Sequence, residues 1–267
     1  MKEHDISTTS EAPDKPTLEQ EKGAWPQHEL LASYLRDGIL SGDFPAGSLL
    51  PSTRLLREKF GVAPQTIKHA NDQLASEGLV RSHRGKGIIV LDRRPQTVVP
   101  AATKRPANPG DPYRWITEAS KSGLQGASVL LDVDEVVPPK DVARALGLGA
   151  SGVALRREQV LTLDGEPAEY VRAYYPVDIA RGTEIAVRKR IRGGTPRVLQ
   201  DLGYPPLRCV DTVSARVPTP DEVKALGTPT KVPVLRTLRV VHSVDDRVVE
   251  VAVMAKAGHL YELQYDF

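Results

Sequence analysis

A single cysteine, Cys209, stands in a chain of 267 residues, and that scarcity removes two classes of protein at once. A lone thiol builds neither a disulfide framework nor a zinc site. Within Leu207-Arg208-Cys209-Val210 it reads as a small buried hydrophobe. No apolar run approaches the ~20 residues that a membrane span needs. The N-terminus, MKEHDISTTSEAPDKPTLEQEKG, has no apolar signal-peptide core, so a cytoplasmic location is expected and no membrane is a partner. The net charge is only +2, too small to argue for nucleic acid unless cations cluster locally. The patterns GxSxG and HExxH are missing, no pair of carboxylates stands out, and Gly85-Lys86-Gly87 lacks the GxxxxGK[ST] frame of a phosphate loop. His28, His69 and His83 have no metal-ligand spacing. No catalytic residue, metal or cofactor is implied.

What is present falls into two blocks. Residues 1–24 are polar and carry almost no large apolar side chain, so they cannot offset their ordering entropy and are expected to be disordered. Repeated prolines in DRRPQTVVPAATKRPANPGDP, residues 92–112, forbid helix and sheet ladders and read as a linker. Residues 92–124 are assigned to that linker. It separates a block at 25–91 from one at 125–267, and 267 residues are enough for two separate cores.

The first block reads as three helices and a hairpin. Leu31, Leu35 and Ile39 recur at four-residue spacing, and Ser41-Gly42 ends that helix. Ser52 is an N-cap candidate for a short helix carrying Leu55, Leu56 and Phe60, with Gly61 placed to stop it. Pro64 suits the first position of a third helix. Ile67, Ala70 and Leu74 line its inner face, while Gln65, His69, Asp72 and Ser76 point the other way, flanked by Thr66 and Lys68. Leu79–Ser82 and Gly87–Leu91 form a hairpin around Arg84-Gly85-Lys86. Taken singly, each feature fits an ordinary solvated surface. In this order they make a winged helix-turn-helix, in which Gln65 can bond adenine in the major groove and the cationic, glycine-containing tip suits the minor groove.

The second block is internally duplicated at an offset of about 80 residues. Val133, Val137 and Pro138 match Val213, Val217 and Pro218. Asp141, Ala145, Leu146 and Gly147 match Asp221, Ala225, Leu226 and Gly227, and Leu155-Arg156 matches Leu235-Arg236. Each copy reads strand, helix, strand, turn, strand, with hairpin signals at Asp164-Gly165 and Asp245-Asp246. The two copies predict one antiparallel sheet of about six strands with helices packed on it, and Asp178–Gly203 between them reads as helical. Arg156, Arg157, Arg172 and Arg236 fall on the strands. Such cations commonly face solvent; the other reading is a pocket for an anionic small molecule.

With these residues in view, the chain resembles the GntR family of bacterial transcription regulators, in its HutC-type branch. GILSGDFPAGSLLPSTRLLREKFGVAPQTIKHANDQLASEGLVRSHRGKGIIV carries the first part of the likeness, through Gly42, Gly47, Leu50, Pro51, Ser52 and the closing Leu74, Glu77, Gly78 and Leu79. LTLDGEPAEYVRAYYP, GGTPRVLQDLGY and DDRVVEVAVMAKA carry the second, to the UTRA effector domain with its chorismate-lyase-like fold. The resemblance implies an α+β protein. An N-terminal winged helix-turn-helix contacts double-stranded DNA through Arg54, Gln65, Thr66, Lys68, Arg84, Gly85 and Lys86. A C-terminal chorismate-lyase-like antiparallel sheet domain holds an effector through Arg156, Arg157, Arg172, Tyr174, Thr195 and Glu250. Ala63-Pro64 stands where the family usually has Ser-Arg, which implies a different operator, and Val171 stands where sugar-phosphate binders often carry Glu. The function expected is that of a homodimeric repressor on a near-palindromic operator, modulated by a small, anionic effector. The alternatives are a repressor whose second domain only dimerises, or an enzyme acting on a small carboxylate.

Overall fold

The computed structural model describes residues 25–91, 96–98, 114–230, 232–258 and 261–263. The expectation for residues 1–24 and most of the proline-rich segment lie outside them. Two compact units divide at Arg94 and Pro95.

In the first unit, α1 (Gln27–Ser41), α2 (Thr53–Phe60) and α3 (Pro64–Ser76) precede β1 (Val80–His83) and β2 (Gly87–Val90). The local chemistry sets each boundary. Leu55 N–H donates to Ser52 Oγ at 3.3 Å to cap α2, and Pro64 opens α3 where a missing N–H costs nothing. Leu31, Leu35, Leu56, Ile67, Ala70, Leu74 and Val90 form one core. The chain at 47–50 lies beside β2, with Leu50 N–H on Ile88 O and Val90 N–H on Ser48 O, so the hairpin is backed by a third extended segment. Arg36 spans the core's edge: its Nε and Nη2 donate to the two Glu77 oxygens at 2.7 and 2.6 Å and tie α1 to the end of α3.

The second unit is built on one antiparallel sheet. Its strands are β4 (Gly126–Val136), β5 (Ala154–Leu163), β6 (Glu166–Pro176), β7 (Arg208–Arg216), β8 (Val234–His242) and β9 (Val248–Ala257), after a short β3 (Gln96–Val98) that pairs in parallel with β10 (Tyr261–Leu263). The order is β4-β5-β6-β9-β8-β7. Each copy of the repeat contributes three strands, and the copies meet through their third strands, β6 and β9. The duplication persists in the register: Asp134 faces Arg156 in one copy, and Ser214 faces Arg236 eighty residues later in the other.

The helices of the two copies cross over. Val142 on α5 (Lys140–Ala145) packs with Tyr174, Val251 and Val253, while Leu226 on α8 (Pro220–Leu226) packs with Val160, Tyr170 and Ala255. The first copy's helix therefore reaches the second copy's strand, and the reverse. On the opposite face, α6 (Val177–Ala180), a 3-10 turn at Glu184–Ala186 and α7 (Thr195–Asp201) bring Ile179, Ile185, Val198 and Leu199 onto Val171, Ala173, Ala252 and Met254. The segment between the copies is thus only partly helical.

One boundary moves. Residues assigned to the linker include a helix, α4 (Arg114–Lys121), packed on the sheet. The Trp115 indole N–H donates to Thr162 O at 3.2 Å, and a Cβ on Gly126 would lie 2.8 Å from that of Ala119. The prolines that suppress helix end at Pro112, and a half-buried indole packed on the sheet stabilises what local propensity alone would not.

Candidate DNA interface and effector pocket

The polar face of α3 and the hairpin tip belong to the same domain. Ala63, at the N-cap of α3, offers no side-chain cap. Gln65 Nε2 lies 2.8 Å from His69 Nε2, and Lys68 donates to Asp72 at 2.6 Å, both on the exposed face. Thr66 is half-buried at its flank. Arg54 at the start of α2 is 82% exposed, and its nearest carboxylate, on Glu58, is 3.9 Å away. Exposed ion pairs of this kind are worth at most about 1 kcal/mol, so these cations are easily released to a phosphate. Arg84, Gly85 and Lys86 are all exposed at the tip, where Gly85 adopts φ 80°, a left-handed conformation that a side chain would disfavour. Arg81 on β1, which the motif does not mark, is exposed on the same hairpin.

The six residues assigned to the effector do not meet at one place. Successive strand residues face opposite ways, so Arg156 and Arg157 part company. Arg156, Arg172 and Tyr174 point to the face covered by α5 and α8. There Arg156 hydrogen-bonds Asp134, Arg172 stacks over the Tyr170 ring at 5.2 Å, and Tyr174 is 2% exposed. Arg236 pairs with Asp141 and Tyr170 with Glu158 in the same layer. Glu222, fully buried, is pushed up by desolvation, yet hydrogen bonds from Arg216 and the Thr219 N–H bring its carboxyl net below the usual range.

Arg157, Thr195 and Glu250 occupy the other face. Thr195 Oγ1 lies 2.9 Å from the Tyr175 hydroxyl, which hydrogen-bonds Glu250. Tyr175, the neighbour of the expected Tyr174, thus links two of the expected residues. Desolvation raises the Glu250 carboxyl, against the pull of Tyr175 and Arg239. Arg239 itself grips Asp211 with two bonds of 2.7 and 2.6 Å. Arg157, 6% exposed, donates to Ile185 O, Val187 O and Lys189 O at 2.7, 2.9 and 2.8 Å. A cavity of about 40 Å3 beside it is lined by Ser128, Gln159, Tyr175, Arg190 and Thr195 among others. Counting by two from Arg157 finds Gln159; Ser128 and Arg190 carry no comparable signal.

Comparison with known proteins gives this architecture its place. Residues 28–90 match the model of the bacterial regulatory proteins of the gntR family, and residues 121–262 match the UTRA domain. An uncharacterised HTH-type transcriptional regulator of Streptomyces coelicolor is 29% identical over 249 residues, covering 91% of this chain and 93% of the relative. The HTH-type transcriptional repressor PhnF of Mycolicibacterium smegmatis is 27% identical over 231 residues, covering 84% and 85%. The crystal structure of PhnF from Mycobacterium smegmatis superposes with a TM-score of 0.53 at 23% identity, over 88% of this chain and 98% of that one, and so shares the fold. Winged helix-turn-helix, duplicated sheet and both family matches agree: the chain belongs to the gntR family of bacterial regulatory proteins and is a DNA-binding transcription regulator with a UTRA domain.

Proposed function

We propose that the protein is a homodimeric repressor whose operator affinity is set by a small anionic effector bound in the second domain. In this reading α3 enters the major groove, with Gln65 and Thr66 at base edges and Arg54 and Lys68 on phosphates. The tip at Arg84, Gly85 and Lys86 approaches the minor groove. A two-fold dimer calls for a near-palindromic site with half-sites roughly one helical turn apart. Effector binding shifts the population away from the DNA-competent arrangement. The protein acts by binding, in the cytoplasm, and not as an enzyme. The observation that carries the DNA half is the joint exposure of Gln65, Lys68, Arg84 and Lys86 on a single rigid core.

Selection of bound sites from random duplexes, followed by footprinting, tests the reading. Recovered sites should be near-palindromic. Arg84→Ala should weaken binding and reduce the salt slope by about one unit, the share of one phosphate contact. Protection by Arg84→Ala equal to wild type at every salt concentration would remove the wing from the interface.

A further inference from the structure

Gln65 is the first polar side chain of α3, because Ala63 and Pro64 ahead of it carry no hydrogen-bonding group beyond the backbone. It is not a free rotor. Its Nε2 lies 2.8 Å from Nε2 of His69, one turn further along the same exposed face. An amide nitrogen can only donate. The imidazole Nε2 therefore accepts, which places the ring proton on Nδ1. A second helix steadies that ring. His28, in the first turn of α1, meets His69 edge to face, with ring centroids 5.8 Å apart and planes at 79°. His28 precedes the buried Leu31, Ala32 and Leu35 on one stripe of α1, which turns its half-buried ring toward α3.

This arrangement decides what Gln65 can offer to a base. In the major groove adenine shows a donor at N6 and an acceptor at N7, whereas guanine shows acceptors at both O6 and N7. With one N–H given to His69, Gln65 keeps its carbonyl oxygen and its other N–H, an acceptor and a donor. That set complements adenine. Reversed, with its carbonyl on a donating His69, the amide would present two N–H groups and suit guanine. A glutamine with no neighbour to hold it samples both arrangements and loses more rotamer freedom on binding.

We infer, on the reading that Gln65 meets a base edge, that His69 is a positioning residue for operator recognition. Its Nε2 fixes the Gln65 amide in the arrangement that selects adenine over guanine, and His28 fixes the His69 ring from α1. His69 acts through Gln65 and not by touching a base or a phosphate.

Selection of bound sites from random duplexes with the full chain tests this, with Gln65→Ala marking the position concerned as the one whose base preference it erases. Wild type should favour adenine over guanine there by about tenfold or more, the discrimination that a bidentate contact carries. His69→Leu removes the acceptor and should bring the two bases near parity, with the salt slope unchanged because no phosphate contact is lost. His69→Glu returns an acceptor four residues from Gln65 and should recover the adenine preference, while its negative charge weakens binding to every duplex alike. His28→Ala should lower the adenine-to-guanine ratio by a smaller factor than His69→Leu. A purely structural role for His69 would lower affinity for all sequences in His69→Leu and give no recovery of base choice in His69→Glu. The inference is overturned by a wild-type ratio in His69→Leu, by failure of His69→Glu to restore it, or by a wild-type preference for guanine at the marked position. Loss of a preference in Gln65→Ala that His69→Leu leaves intact sinks His69 alone and leaves the docking of α3 standing. Operator binding in which Gln65→Ala erases no preference sinks the base-reading role of Gln65 itself, and this inference with it.

Discussion

Removing the Glu77 carboxylate should loosen the recognition helix from the body of its domain. Glu77 closes α3, and its side chain is 12% exposed while that of its partner Arg36 is 29% exposed. Two charge-assisted bonds of 2.7 and 2.6 Å join them, and Gln73 Nε2 adds a third at 3.1 Å. Hydrogen bonds to charged groups contribute about 1.5–3 kcal/mol each when buried. Loss of one partner of a fully buried pair costs about 3–5 kcal/mol. Solvent reaches Arg36, so the charge left by Glu77→Gln is partly hydrated, and a cost of about 1.5–2.5 kcal/mol is expected. The measurement is a double-mutant cycle of Arg36→Met and Glu77→Gln by urea unfolding of the N-terminal unit's transition. A coupling of at least about 1 kcal/mol is expected, together with a drop in operator affinity larger in Glu77→Gln than in any surface substitution on α1. A coupling indistinguishable from zero would mean that the pair is a surface ornament and that apolar contacts alone hold α3 in place.

Two further outcomes follow from packing and charge. Gly38→Ala would ordinarily favour α1 by about 1 kcal/mol. Here the added Cβ would fall 2.5 Å from the ring of buried Phe44, so overpacking of about 1–3 kcal/mol should win and lower the melting temperature; a rise would show that Phe44 moves aside freely. Glu250 has its folded pKa raised by desolvation, so the native state holds its proton more tightly than the unfolded chain and stability falls as pH rises from about 4.5 upward. Glu250→Gln should therefore equal or exceed wild type in thermal stability at neutral pH, with the difference vanishing in acid; a variant less stable at neutral than at acid pH, relative to wild type, would contradict that sign.

The DNA-binding half was legible because its information is local. Ser52 marks where α2 starts, Gly61 where it stops and Pro64 where α3 starts, and the residues that face outward are close together in sequence. The sheet was legible as a single antiparallel sheet of about six strands, since the repeat announced itself through Val133–Gly147 and Val213–Gly227, whereas the strand order was not. The division of the expected effector residues between two faces was not legible either, and the reason lies in burial. In EPAEYVRAYYP both faces of β6 are covered, so the alternation that normally tells inside from outside is erased. Tyr174 and Tyr175 thus face opposite ways with no signal in the sequence to tell their faces apart, and the strand irregularity between Leu161 and Thr162 adds to this. Arg157 owes its position to carbonyls 28 and 32 residues away on an irregular segment, which no periodicity encodes. Helix α4 likewise depends on Trp115 finding Thr162, a contact between distant parts of the chain.

The exchange of helices between the two copies of the repeat has a consequence for how such a domain can arise and come apart. Neither copy is complete by itself: alone, it would present an open edge at β6 or β9 and a bare patch where the other's helix belongs. A single unit of this kind would have to find a twin, and joining two copies in one chain makes that pairing intramolecular. Severing the peptide between the copies would then leave two fragments that still need each other, a natural basis for complementation within one sheet.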